Sequence, residues 1–213
     1  GYSTNTTYAA PLLQLTAAAS SAGFLMIAPA GTADSSGSHF WNATDACCNF
    51  ENSQVDDVAY LDGLITEISA AYNVDPKRIY VVGHSNGGFM AYRMACAKAD
   101  RIAAVVSVAG ATFATPASCA PSQPVSVLQV HGTSDATIQY AGGTLMVGTA
   151  NIAYPSAAGS RDRWATYDGC AATTTTGAAI DVTGDATAET TPTAHGACPA
   201  GIGVELWTVD QAP

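Results

Sequence analysis

Apolar positions alternate along this chain between spacings of helical and of strand type. From Ala9 to Ala22 they follow helical spacing, Gly23 breaks the pattern, and the run Phe24-Leu25-Met26-Ile27-Ala28 has the length of a short buried strand. Helix, cap and strand are predicted in that order. Residues Pro29 to Asn52 carry Gly, Ser, Asn, Asp and two adjacent cysteines without either periodicity, so they form a long loop of the kind that usually serves a site. Ser53-Gln54-Val55-Asp56 is related to a capping box. Helical spacing then runs from Val55 to Tyr72 through Val58, Leu61, Ile65 and Ile68, with Asp56 and Asp57 read as helix-start charges.

After the turn Asn73-Val74-Asp75-Pro76, Ile79 to Val82 is β-branched and aromatic, as in a buried parallel strand, and it ends at Gly83. Asn86 to Ala97 returns to helical spacing. Ala103 to Val108, Val125 to Val130 and Gly203 to Val209 are further strands, and Thr173 to Pro192 is rich in Thr, Ala and Gly and weakly patterned. The alternation predicts one α/β domain over residues 1–213, a mainly parallel sheet with helices on both faces and its working edge at the carboxyl ends of the strands. No internal repeat or second domain is evident.

Composition narrows the function classes. The chain has 213 residues, 48% hydrophobic and 11% charged, with a net charge of -10 and no basic cluster, which argues against nucleic acid as a partner. No run of 18 apolar residues suggests a membrane span. Six cysteines lie outside any zinc-like spacing and point to disulfides, an oxidising compartment and a secreted protein. Cys170 with Cys198 is the favoured pair, since the two flank the weakly patterned segment. Cys47 and Cys48 are expected to reach Cys96 and Cys119 rather than each other, because a bridge between neighbours distorts the intervening peptide.

Gly83-His84-Ser85-Asn86-Gly87 is a GxSxG motif between a predicted strand and a predicted helix, the context of a nucleophile elbow in an α/β-hydrolase fold. Small residues let the chain reverse sharply. The serine is thereby raised above the sheet, and the helix start is aimed at developing negative charge. Ser85 is the candidate nucleophile. In this fold the acid follows the serine and the histidine follows the acid, so Asp135, reached from the Val125–Val130 strand through His131-Gly132-Thr133-Ser134, is the candidate acid. Asp162, Asp168 and Asp181 are weaker candidates. No histidine follows Val209: His195 precedes the last strand and is only a substitute for the base, His39 precedes the acid, and His84 and His131 read as packed or turn residues.

The stretch GHSNGGFMAYRMAC at Gly83–Cys96, with Asp75 to Val82 before it, resembles the polyhydroxybutyrate depolymerase-like esterases and related bacterial feruloyl esterases. Matching stretches at Ala22–Gly31, Trp41–Leu61, His131–Tyr140 with Gly142 and Gly143, and Cys198–Val209 carry the resemblance across most of the chain. It implies Ser85 as nucleophile and Asp135 as acid. It also implies oxyanion donors at the backbone NH of Asn86 and at Tyr2, the latter as part of a His-Gly oxyanion loop.

Members of that family begin with additional strands and end with a histidine soon after the strand matching Val204–Val209. The expectation is therefore a portion of a longer esterase, lacking the N-terminal strands and the C-terminal histidine loop. Phe40, Trp41 and His84 are the candidate substrate contacts, with loop packing the alternative for the two aromatics. The expected substrate is an ester, possibly polymeric: hydroxyalkanoate oligomers or other polyesters first, a feruloylated or acetylated plant polysaccharide second. No metal or organic cofactor is implied. A noncatalytic binding module on a hydrolase fold is the alternative of another class.

Overall fold

A computed structural model describes residues 1–4 and 14–212. Helix α1 spans Leu15–Ala22 and closes where the sequence predicts, with Gly23 at φ 71° donating its N–H to the Ala19 carbonyl. The first part of the expected helix, Ala9 to Leu13, lies outside the described residues. The expected strand at Phe24–Ala28 is not formed. Phe24, Leu25 and Ile27 are exposed, and no strand pairs with this run among the described residues. An apolar run supplies a tendency to extend, but a strand exists only when a partner satisfies its backbone groups.

The long loop contains a small antiparallel ribbon, β1 (Thr32–Ala33) with β2 (His39–Phe40). Helix α2 follows at Asp57–Ala71. Its cap is Asp56, whose carboxylate accepts the Ala59 N–H, rather than Ser53. Strand β3 (Tyr80–His84), helix α3 (Asn86–Ala97), β4 (Ala104–Val108) and β5 (Ser126–Gly132) fall close to their sequence-predicted positions. A hairpin of β6 (Gly143–Val147) and β7 (Ala150–Tyr154) and helix α4 (Ala157–Asp168) come next, unannounced by periodicity. Ser156 caps α4 through the Gly159 N–H, and Gly169 at φ 72° ends it.

Strands β8 (Thr174–Thr176), β9 (Thr190–His195) and β10 (Val204–Val209) complete the main sheet in the order β3-β4-β5-β10-β9-β8. The first four of these are mutually parallel, as expected, whereas β9 and β8 add antiparallel pairs at one side. At the other side β3 is the outermost strand among the described residues, with Tyr80 and Val82 exposed.

Val105, Val127 and Val204 stand side by side in register and are buried with Tyr92 and Ala95 of α3 and Trp164 of α4. Trp164 is fully buried and its Nε1 donates to the Val125 carbonyl at 2.8 Å, so the ring both fills the core and satisfies a strand end. Such a side chain is worth about 3–5 kcal/mol on truncation. The opposite flank of α3 presents Phe89, Met90 and Met94 to a second cluster with Ala43, Ala46, Cys47, Cys48, Ile138 and Tyr154. A helix apolar on both flanks is buried on both. This one ties the long loop to the sheet.

The division into two clusters decides the disulfides. Cys170 joins Cys198, as predicted. Cys96 joins Cys119, and Cys47 joins Cys48, which corrects the expectation that the adjacent pair reaches the other two. Cys119 is buried in the sheet-side cluster, with Cys96 packed against it, while Cys47 and Cys48 belong to the loop-side cluster.

Candidate active site

The turn from β3 into α3 is built around residues without room for side chains. A Cβ on Gly83 would run into the Gly87 carbonyl, and one on Gly88 would approach Ser107 Oγ to 2.7 Å, so glycine lets α3 descend onto the sheet. Ser85, between them, has φ 54° and ψ −124°, a backbone conformation that side chains rarely adopt. Its N–H donates to the Val108 carbonyl at 2.8 Å, which holds the strained residue at the carboxyl edge of the sheet. Its own carbonyl accepts from Gly88 and Phe89, so Asn86 and Gly87 are the leading N–H groups of α3, without carbonyls four residues back inside the helix.

Asp135 stands at the same edge, in the loop after β5. Its Oδ1 accepts from the Thr137 and Ile138 N–H groups at 2.8 and 2.9 Å, and Oδ2 lies 3.6 Å from His131 Nε2. His131 is buried and donates from Nε2 to the Ile138 carbonyl at 2.6 Å, while Nδ1 lies 3.1 Å from Gln129 Nε2. Burial pushes its pKa down, although the Ile138 bond and the Asp135 charge oppose this. A neutral ring fits both contacts, with Nδ1 accepting. His131 therefore shapes the Asp135 loop, in keeping with its reading as a packed residue.

Gly1 sits against the serine: a Cβ there would be 3.5 Å from Ser85 Cβ and 3.6 Å from His84 Nδ1. The Tyr2 hydroxyl donates to Asp34 at 2.5 Å and its ring meets Phe50 edge-on at 5.0 Å. That bond and those from Ser36 and Ser38 hold the Asp34 carboxyl at about 2, burial opposing, and Tyr2 is pushed up by the same bond. The Ser3 N–H continues the anchor onto the His39 carbonyl at 2.7 Å. His84 is half-buried, and its pKa is lowered by desolvation despite the opposing pull of the Asp135 charge.

A family model described as alpha/beta hydrolase fold matches residues 58–142, a stretch containing both Ser85 and Asp135. The fold is that of an α/β-hydrolase. Among curated proteins, the chain is 34% identical over 121 residues to the putative esterase NocK of Nocardia uniformis subsp. tsuyamanensis, covering 57% of this chain and 34% of that protein. It is 34% identical over 134 residues to feruloyl esterase B of Piromyces equi, covering 61% of this chain and 24% of that one. The chain thus spans about a third or less of these relatives' lengths. The solved structure of native pOPH overlaps 56% of this chain and 44% of its own at 15% identity, with a TM-score of 0.38.

The remaining sequence candidates divide clearly. His195 ends β9, four strands from β3, or about 19 Å across the sheet at ~4.8 Å per strand. Its neighbour Ala194 pairs with Glu205, near the Val204 end of β10, so His195 lies toward the edge opposite Ser85. The structure does not bring this weaker candidate for the base to Ser85: β9 runs antiparallel, which carries its last residue away from the carboxyl ends of the parallel strands. Asp162 is bonded to His195 and Arg161, Asp168 is buried under β5, and Asp181 bonds only to its own loop. None of these carboxylates joins Ser85.

Phe40 is 3% exposed beside Tyr2, Cys48 and Phe50, which agrees with loop packing, the alternative to a substrate contact. Trp41 is half-buried and stacks on Tyr60 at 6.4 Å with 20° between the rings. Two roles had no local signal in the sequence. The Asn86 side chain, fully buried, accepts the Trp41 N–H at 2.7 Å and donates to the Trp41 carbonyl at 3.1 Å. Asp57, buried rather than merely a helix-start charge, accepts the Asn42 N–H at 2.6 Å, and desolvation pushes its carboxyl up. Both contacts reach across the fold, so no spacing in the sequence marks them. Among the described residues no cluster of three or more His, Cys, Asp or Glu side chains is placed to hold a metal ion.

Proposed function

We propose that this protein is a secreted serine carboxylic-ester hydrolase in which Ser85 is the nucleophile and Asp135 the acid of the triad. The observation that carries this reading is the strained Ser85 at the β3–α3 turn, raised beside the leading amides of α3. The serine hydroxyl attacks an ester carbonyl, the Asn86 N–H receives the developing oxyanion, the alcohol leaves, and water releases the acid from the acyl-enzyme. The contact of Gly1 with Ser85 supports Tyr2 as the second oxyanion donor. Asp135 orients the histidine that takes the serine proton. Among the described residues, none of the four histidines hydrogen-bonds to Ser85 or to the Asp135 carboxylate. Three disulfides support export.

For the substrate, an aromatic acyl ester of a plant polysaccharide stands ahead of the polyester that the sequence placed first. The names of the feruloyl esterase relatives support this order, as does the stacked pair of Trp41 and Tyr60, in which the Trp41 backbone is bonded to the Asn86 side chain. The test is labelling of the full-length protein by a fluorophosphonate with peptide mapping. Label on the peptide containing Ser85, absent in Ser85→Ala, is the expected result; label on another serine rejects the assignment.

A further inference from the structure

Asn86 follows the serine directly, yet its side chain turns away into the protein. The carboxamide is 0% exposed and takes both backbone polar groups of Trp41, accepting from N and donating to O. This is the two-bond pairing that a neighbouring strand would make, supplied by one side chain. A buried peptide group has few ways to find such partners, and losing them leaves a donor and an acceptor unpaired.

The next residue is held from the other side. The Asn42 N–H donates to the Asp57 carboxylate, and its side-chain amide donates to the Val55 carbonyl at 2.8 Å. Residues 41 and 42 are thus pinned between the start of α3 and the start of α2. The indole of Trp41 is what this pinning presents: half-buried and stacked on Tyr60, which is itself 43% exposed. Tryptophan and tyrosine held in near-parallel planes make a flat wall suited to an aromatic group, and its place is set by the residue after the nucleophile.

We propose that the Asn86 side chain is a positioning residue that fixes the Trp41–Tyr60 wall relative to Ser85 and so sets the preference for aromatic over aliphatic acyl groups. This rests on Ser85 as the nucleophile. It adds a second task to Asn86, whose backbone N–H faces the oxyanion and remains in every side-chain variant.

The experiment compares kcat/KM of the full-length protein for methyl ferulate and for a short aliphatic ester, with amide hydrogen exchange at Trp41 followed in parallel. Asn86→Ala is expected to lower the aromatic-to-aliphatic ratio at least tenfold, chiefly through KM for methyl ferulate, and to speed exchange of the Trp41 amide. Trp41→Ala, which keeps the backbone pairing, should lower the ratio similarly, and the double variant should add little. Trp41→Ala also serves if Asn86→Ala does not fold, because an unchanged ratio there overturns the proposal. An equal loss for both esters in Asn86→Ala overturns it as well. If Ser85→Ala abolishes hydrolysis while the ratio in Asn86→Ala is unchanged, only the positioning role fails. Hydrolysis persisting in Ser85→Ala removes the nucleophile assignment and this proposal together.

Discussion

The His195 ring joins Asp162, with Nε2 2.8 Å from Asp162 Oδ1, while Nδ1 lies 2.8 Å from the Ala171 carbonyl. The ring thus bridges a backbone carbonyl and a carboxylate. Asp162 also accepts from Arg161 Nε and Nη2 at 2.8 and 2.7 Å, and although its partial burial opposes this, these bonds hold its carboxyl below the usual range. The His195 side chain is 3% exposed, beside the segment that the Cys170–Cys198 bridge closes. The cluster ties α4 to β9.

His195→Ala is therefore expected to cost about 1.5–3 kcal/mol of stability, the usual range for a hydrogen bond to a charged group, and less to the extent that the half-exposed Asp162 is screened. Denaturant unfolding checks the cost. Labelling of Ser85 should be unchanged in the same variant, and a lost label with the fold intact would return His195 to the site.

Asp135→Asn keeps an oxygen for the Thr137 and Ile138 amides, so the loop after β5 should hold its shape. A triad acid replaced in this way loses its hold on the histidine tautomer, and kcat should fall by about 10⁴. Steady-state kinetics of the full-length variant, with circular dichroism to verify the fold, decides the matter. Turnover near that of the unaltered protein would remove Asp135 from the mechanism.

Asp168, the last residue of α4, is 2% exposed; Oδ1 accepts the Val125 N–H at 3.1 Å and Oδ2 is buried without a partner. Desolvation outweighs that one bond and pushes its pKa up to about 6. A carboxyl raised in the folded state contributes its full stability below the unfolded value, and that contribution is lost as pH rises through about 6. The loss amounts to about 3 kcal/mol by neutral pH. Asp168→Asn keeps an acceptor for Val125 and removes the ionisation, so it should raise Tm at pH 8 and change it little at pH 3. Equal effects at both values would show that the Asp168 charge is not what limits stability.

Local chemistry made the serine turn legible. GHSNG lies between a β-branched run and helical spacing, and each part follows from neighbours in sequence: Gly83 for the close approach, α3 from Asn86 to Ala97, β4, β5 and β10 from short apolar runs. Other features stayed hidden because they belong to pairs. Phe24 to Ala28 has the composition of a strand and no strand beside it, and Asn86 meets Trp41 across 45 positions of chain.

The sequence by itself determined the α/β alternation, the turn that presents Ser85, the side of the sheet to which Asp135 belongs and the Cys170–Cys198 bridge. Tertiary structure decided the rest: that β9 runs antiparallel and carries His195 away from the serine, that Cys47 and Cys48 bridge each other because the other cysteines lie in a separate cluster, and that Phe40 is buried while the Trp41 backbone is held by the Asn86 side chain. The physical reason is range. Periodicity and turn chemistry act over a few residues, whereas burial, strand direction and buried hydrogen bonds depend on segments that meet only when the chain has folded.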